Sequence, residues 1–534
     1  MFGPFTRRRF FANAIVALPL PRFLDVVTPK SIRDARLLAS QQVRIKAATQ
    51  QSTRPMAAMV SNGDETSLPA RIGCYAKGFP QNQYGEVFPE AYDALLAAMK
   101  SGKYADFEAL PRSGGRRQSN PQSGYAFHLE GGDPHTFNVP PAPSIASADC
   151  AFDVNEIYWQ ALCRDVHFSE YSSSPLIKRA ATSLGTTPDR VFRGPTKGNE
   201  TGPYVSQFLL KPIPFGSGFI EQRYNTPVAG SDYMTAFPEW AQIQAGFLPW
   251  RQLVYDETHR YIRNGRDLAE YVHYDFANQA YLSAALILIN ANAKSTLNCN
   301  QFKSNANPYR YSTVEEGFVT FGPAEAVDWI GRVSSAALKA AYCQKWMVHR
   351  RVRPEALGGL IHQTRATARK YPLHDSVLHA DAVDAVHAKT ATYLLPQAYP
   401  EACPMHPSYP SGHAAIAGAC SVVLKACFDN QMLLPSCLEP SEDGLSVHPC
   451  ANYSPLIGDE INKLTANIAF GRGWAGIHYR SDSEAGLQMG EEVGISILQD
   501  MALTYSENFP GFTFTRFDGT RINIASNGSI TTVA

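Results

Sequence analysis

Five basic side chains in three separated motifs of the C-terminal third are the residues of this sequence best suited to chemistry. They are Lys345 and Arg353 in QKWMVHRRVRPE, His413 in HPSYPSGHA, and Arg472 and His478 in GRGWAGIHYRSD. The 48 Lys+Arg balance 48 Asp+Glu, so a basic cluster is a local feature and asks for a local anion. Two guanidinium forks and an ammonium match the oxygens of a tetrahedral oxyanion. The two histidines exceed what a passive clamp needs. One suits a ligand or nucleophile, the other an acid/base.

The elements that must position these groups follow from local rules. Ala324–Val352 is rich in helix formers, and Pro354 turns Arg353 away from α geometry, which predicts a helix ending there. On that helix Lys345 and Arg353 stand about 12 Å apart along the axis, within reach of one anion. Taken alone, the motif also describes a solvated basic helix end. In the second motif Ser411 is a natural N-cap, Gly412 admits close backbone approach, and a helix is predicted over Ser411–Phe428. Its first amides, left unsatisfied, form an oxyanion site with His413 in the first turn. In the third motif Asp482 follows His478 by four residues and shares its face if the segment is helical, so it can orient the imidazole. Asp275, in EYVHYDFANQAY, is a candidate to hold one of the cationic residues in place. Trp346 is expected in the core.

Around these motifs the periodicity is helical. Phe237–Arg260, Leu268–Asn290, Ala324–Val352, Val377–Leu394 and Ser483–Leu503 all read as helices, as does Ser31–Gln51. Gly511–Ile524 alternates like a hairpin with an Asp518-Gly519 turn. The predicted fold class is mostly α, with two four-helix-bundle-like cores, long irregular loops and a short C-terminal β-hairpin. The expected division is 1–28, a twin-arginine-like export signal carrying Thr6-Arg7-Arg8-Arg9-Phe10-Phe11; 29–320, helical and loop-rich; and 321–534, the anion-binding half. The two halves are expected to form one catalytic unit. A functional signal places the protein in the periplasm or outside the cell; otherwise it is cytoplasmic. No apolar run reaches the ~20 residues of a membrane span, and balanced charge argues against a nucleic-acid partner. The ten cysteines have no zinc-like spacing; Cys437 and Cys450 flank a Pro/Ser/Glu-rich loop and are placed to bridge in an exported chain.

In their order and spacing the three motifs resemble those of the vanadium-dependent haloperoxidases, which share a superfamily with acid and lipid phosphatases. They look most like the bromoperoxidases of marine algae and cyanobacteria. The seven-residue gap between Lys345 and Arg353 is one longer than is usual in the phosphatases and the fungal chloroperoxidase, and HRRVRPE and the terminal FTFTRFDG also look bromoperoxidase-like. The resemblance is strongest over Asp275–Met501. It implies a vanadate cofactor, His478 as the vanadium ligand, and Lys345, Arg353, Arg472, Ser411 and Gly412 around the vanadate oxygens. It implies His413 as acid/base, with Lys345 polarising bound peroxide. His406 stands where bromoperoxidases carry a histidine, which favours bromide and iodide over chloride. Tyr342 departs from the Trp or Arg of relatives and would line the site. Hydrogen peroxide, halide and an organic acceptor are the implied partners, in a homo-oligomer. The alternative in the same superfamily is a phosphatase working through a phosphohistidine at His478, which Gly471 disfavours because phosphatases usually carry serine there. A third reading, an oxyanion storage protein, leaves His413 without a task.

Overall fold

The computed structural model describes residues 32–56, 58–290, 303–450 and 453–533. The expectation placed on residues 1–28 lies outside the described residues. Residues 1–50 and 51–534 form two compact units. In the first, the described residues belong to helix α1, Ile32–Ser52.

The second unit is mostly helical. Its principal helices are α2 (Ala148–Cys163), α3 (Gly265–Tyr274), α4 (Gln279–Asn290), α5 (Pro323–Cys343), α6 (Pro354–Ala366), α7 (Gly412–Cys427), α8 (Ile457–Trp474) and α9 (Arg480–Ala502). Strands are short and antiparallel: β1 (Ile213–Phe215) with β2 (Gly218–Ile220), β3 (Tyr224–Pro227) with β4 (Tyr255–Arg260), and β5 (Leu438–Pro440) with β6 (Val447–Pro449). A C-terminal sheet holds β7 (Phe512–Thr515), β8 (Arg521–Ile524) and β9 (Ile530–Thr532). The expected hairpin thus gains a third strand, and five residues, Arg516–Thr520, connect β7 to β8.

Helix α7 lies at the centre, packed against α5, α8 and α9. Its contact with α9 is backbone to backbone. Gly486, Gly490 and Gly494 recur every four residues along one face of α9. A Cβ at Gly490 would come within 2.0 Å of the Ala415 carbonyl oxygen, and one at Gly418 within 2.2 Å of the Leu487 carbonyl oxygen. Only glycine permits this approach. The approach sets the two N-termini side by side, where the Ser411 amide donates to the Asp482 carbonyl at 2.9 Å. The His413 and His478 motifs, far apart in sequence, meet for this reason.

Several predicted helices break. The run Ala324–Val352 does not continue to Arg353: α5 stops at Cys343, a π turn spans Gln344–His349, and Arg350 takes a left-handed φ of 39°. Arg350–Val352 is instead bonded to distant segments of the same chain. The Arg350 carbonyl accepts from Tyr75 N at 2.7 Å, the Arg351 carbonyl from Ser408 N at 3.1 Å, and Val352 N donates to Gly73 O at 3.1 Å. These long-range partners replace the helical ones. Leu268–Asn290 divides into α3 and α4 around Asp275, and Phe237–Arg260 becomes a helix over Phe237–Gln244 followed by β4. Val377–Leu394 splits into two short helices, Asp375–Leu378 and Asp381–Thr390. Helix α8 was not foreseen. Its side chains are buried from Glu460 through Trp474, the polar Glu460, Lys463 and Asn467 included, so its polar residues mark no solvent face.

Candidate active site

Each cationic residue reaches the site from a different local device. Lys345 projects from the π turn, fully buried, and its ammonium donates to the carbonyls of Pro407 at 2.8 Å and Ser408 at 2.7 Å. Arg353 is the N-cap residue of α6. Its Nε donates to the His406 carbonyl at 2.8 Å, Nη1 to the Ile477 carbonyl at 2.9 Å, and Nη1 also lies 3.1 Å from His478 Nε2. Arg472 comes from the last turn of α8; its Nη1 donates to the Val272 carbonyl, and its buried Nε has no hydrogen-bond partner among the described residues. The three cations thus rest on neutral acceptors. No carboxylate among the described residues lies within ion-pair distance of any of them.

The electrostatics follow. Burial, then the neighbouring Arg353, pushes the Lys345 ammonium well below its ordinary range, and Arg472 adds to the effect. Burial also lowers Arg472. Uncompensated buried charge is costly unless a partner arrives. The donor set and the orphaned Arg472 Nε therefore fit a multiply charged oxyanion seated among them.

His478 directly precedes α9. Tyr479 is the N-cap and Asp482 the third residue of the helix. The Asp482 carboxylate thus does local and tertiary work together. It accepts from the Tyr479 amide at 3.2 Å, from His478 Nδ1 at 2.8 Å, from Ser408 Oγ, and from Arg351 Nη1 at 2.8 Å. Burial raises this carboxyl, but Arg351, His478 and Ser408 outweigh it and hold the group well below the usual carboxylate range. An ionised Asp482 fixes the proton of His478 on Nδ1 and leaves the Nε2 lone pair toward the cage. Burial and then Arg353 keep the His478 ring from protonating.

Ser411 and Gly412 open α7. Ser411 Oγ caps the helix by accepting from Ala414 N at 3.3 Å. His413, with a side chain 24% exposed, is the open edge of the site; its Nε2 donates to Asp275 Oδ1 at 2.9 Å, and Asp275 is itself buried. With Nε2 so engaged, Nδ1 is the atom left for proton exchange. Asp275 terminates α3, where the break between α3 and α4 turns it toward His413. His406 is part-buried; Nδ1 lies 2.8 Å from Arg353 Nη2 and 3.0 Å from the Pro407 carbonyl, of which a neutral ring satisfies one. Burial, Arg353 and Lys345 press it well below ordinary histidine. The Tyr342 ring sits 5.4 Å from it. Trp346 is buried in a smaller core cluster with Tyr75 and Tyr92, not at the cage.

Arg351 was not singled out from sequence. It donates to Asp482, Ser481 and Asp153, with its guanidinium 4.0 Å from the Tyr479 ring centroid. Reading HRRVRPE as helix hid it. In the extended segment observed, alternate residues share a side, so Arg351 and Arg353 face the site while Arg350 pairs with Glu65 at 2.6 Å. Ser408 was equally missed, two residues after a motif histidine.

Against known proteins, the family model described as VCPO second helical-bundle domain matches residues 336–507. A vanadium-dependent bromoperoxidase of Ascophyllum nodosum is 33% identical over 543 residues, covering 95% of each chain. One from Corallina officinalis is 31% identical over 607 residues, covering 93% of this chain and all of that relative. Among solved structures, the homohexameric second vanadate-dependent bromoperoxidase of Ascophyllum nodosum superposes with a TM-score of 0.87 at 28% identity, covering 93% of this chain and 91% of the other.

Proposed function

The chain belongs to the vanadium-dependent haloperoxidase family, and from that premise we propose that it oxidises bromide and iodide with hydrogen peroxide at a vanadate held by the cationic cage. The observation that carries this reading is the set of three buried cations, Lys345, Arg353 and Arg472, resting on carbonyls and imidazole instead of carboxylates. When bound, vanadate supplies a Lewis-acidic centre that binds and polarises peroxide without changing its own oxidation state. The chain's own residues do the rest. Lys345, Arg353 and Arg472 balance the oxyanion charge, with Ser411 and Gly412 at the α7 N-terminus. His478 offers Nε2 as ligand because Asp482 holds the proton on Nδ1. His413 takes the peroxide proton at Nδ1, and Asp275 at Nε2 stabilises the resulting imidazolium. With vanadate bound, Lys345 would offer peroxide a hydrogen-bond donor, and His413 would return the proton with which hypohalous acid is released. His406 and Tyr342 border the halide's approach. The acceptor is then halogenated by the released hypohalous acid.

A homo-oligomer is part of the proposal, supported by the homohexameric relative and by the apolar exposure of Phe215, Phe219 and Ile220. We also propose export, on the Arg7-Arg8-Arg9 motif alone. The decisive experiment reconstitutes purified protein with vanadate and assays bromination beside phosphatase activity without vanadate. Brisk phosphate-ester hydrolysis with no bromination would refute the reading in favour of the phosphohistidine route. In the same assays His478→Ala loses vanadate retention by more than about 100-fold, whereas His413→Ala retains the cofactor and loses turnover. Equal loss of binding in both would overturn that division of roles.

A further inference from the structure

The β5–β6 hairpin brings together two cysteines that the cage does not use. Leu438 pairs with Pro449, Glu439 with His448 and Pro440 with Val447, so the next rung opposes Cys437 to Cys450. The Cys450 amide donates to the Cys437 carbonyl at 2.9 Å, and the Cys450 thiol lies 3.4 Å from Glu439 Oε1 on the same hairpin. Directly opposed residues of a hydrogen-bonded antiparallel pair have Cα atoms about 5.5 Å apart, the commonest separation in disulfides. The rung is anchored on both sides. Gln207 bonds the Leu438 amide at 2.6 Å and its carbonyl at 2.9 Å, and Lys211 reaches the Pro435 carbonyl at 3.1 Å. The chain after Cys450 leads into α8, which carries Arg472.

We propose that Cys437 and Cys450 are an oxidation site that the enzyme's own product closes into a cross-strand disulfide; this rests on the haloperoxidase reading above. Hypobromous acid transfers its bromine to the sulfur of Cys450, the more exposed of the two, and the thiol proton leaves with the hydroxide oxygen as water. The Cys437 sulfur then displaces bromide and releases its own proton. Two thiols and one hypobromous acid yield one disulfide, water, bromide and a proton; each sulfur gives up one electron and bromine accepts two. The surroundings select this oxidant over peroxide. Burial, then the neighbouring Cys450 thiol, raises the Cys437 thiol to about 12, and burial and Glu439, 3.4 Å away, raise Cys450 as well. Few thiolates are therefore present for peroxide to oxidise, whereas hypobromous acid attacks the neutral thiol.

The test starts from fully reduced holoenzyme. Samples are exposed to peroxide with bromide, to peroxide alone, or to reagent hypobromous acid, then quenched with N-ethylmaleimide and digested without reductant for mass spectrometry. The expected result is a Cys437–Cys450 crosslinked peptide, two hydrogens lighter than its parts, in the first and third samples. Its yield should exceed that with peroxide alone by about tenfold or more. Cys437→Ser should remove the crosslink and keep bromination. Two separately alkylated cysteines, or separate sulfonic acids, after reagent hypobromous acid would overturn the proposal. A crosslink with the reagent but none while bromination proceeds would overturn it as well, whereas no crosslink and no bromination in the first sample would count against the haloperoxidase reading.

Discussion

Two buried lysines, Lys77 and Lys345, solve the same electrostatic problem in opposite ways. The Lys77 ammonium lies 2.6 Å from Glu355 Oε1, both side chains almost fully buried, with the Glu401 and Cys403 carbonyls completing its shell. Lys345, equally buried, has two carbonyls and no carboxylate. The same contrast separates Arg351, which pairs with Asp153 and Asp482, from Arg353 two residues later, which pairs with neither. Burial alone does not mark a binding site, because a paired cation is a closed account of charge. A cage of cations lacking counter-charges is strained until an anion enters, and that difference divides scaffold from site within a single motif.

The largest effect expected from this contrast comes from breaking it. Lys77→Met strands the Glu355 carboxylate and should cost about 3–5 kcal/mol of stability, whereas Lys345→Met should leave the vanadate-free protein as stable or more stable while vanadate affinity collapses. Thermal or denaturant melts of the two apo variants decide it; equal destabilisation would show that Lys345 is scaffold. Next, vanadate, or phosphate in its place, should stabilise the wild type by about 2.7 kcal/mol at a ligand concentration 100 times its Kd. The shift should vanish in Arg353→Gln and survive in Lys463→Met, whose cation is already paired with Glu460 at 2.9 Å. A shift retained in Arg353→Gln would remove Arg353 from the cage.

Smaller effects sharpen the division between holding the anion and moving protons. Asp275→Asn should lower bromination about 10- to 100-fold with vanadate affinity little changed, and should alter the pH profile of turnover, since it removes the carboxylate from His413. Loss of vanadate together with activity would make Asp275 a cage support instead. Last is His349, buried near Arg351, with neither ring nitrogen hydrogen-bonded among the described residues. Burial and the adjacent Arg350 and Arg351 lower its pKa to about 3. The neutral ring is thus favoured in the fold, while the unfolded chain takes up a proton below about 6.5. Stability should therefore be full above that pH and fall by about 1.4 kcal/mol per unit as pH drops toward 3. His349→Phe should flatten that slope between roughly pH 6 and pH 4; an unchanged slope would mean the ring is not buried neutral.

Much of the site was legible in the chain because its parts are local. Ser411 caps α7, and Asp482, four residues after His478, bonds its ring. Both are contacts within a few residues, although His478 stands just before α9 and not on its face, so Asp482 reaches it from the capping position of the first turn. The parts that were not legible depend on partners far away. HRRVRPE carries every mark of a helix end, yet its backbone is drawn out by Gly73, Tyr75 and Ser408. Arg351 therefore faces Asp153 across 198 residues of sequence. Helix α8 was passed over although Ile457, Ile461, Leu464 and Ile468 recur at helical spacing; its polar Glu460, Lys463 and Asn467 are buried with them by tertiary partners.

The sequence by itself determined the inventory of the site, namely which cations, which histidines, which cap and which carboxylate beside His478, because residue type and short spacing set what each motif can do. It also determined the family, through the order of the three motifs. Only the tertiary structure decided which positive charges are answered and which are not. Lys77 and Lys345, or Arg351 and Arg353, are interchangeable in composition, and the counter-charge that separates them comes from elements hundreds of residues away. The crossing of α7 on α9 decides the rest: three glycines bring two helix N-termini into contact and so bring the His413 and His478 motifs together. No single-segment rule encodes that meeting, because it depends on the shape of a surface two helices share.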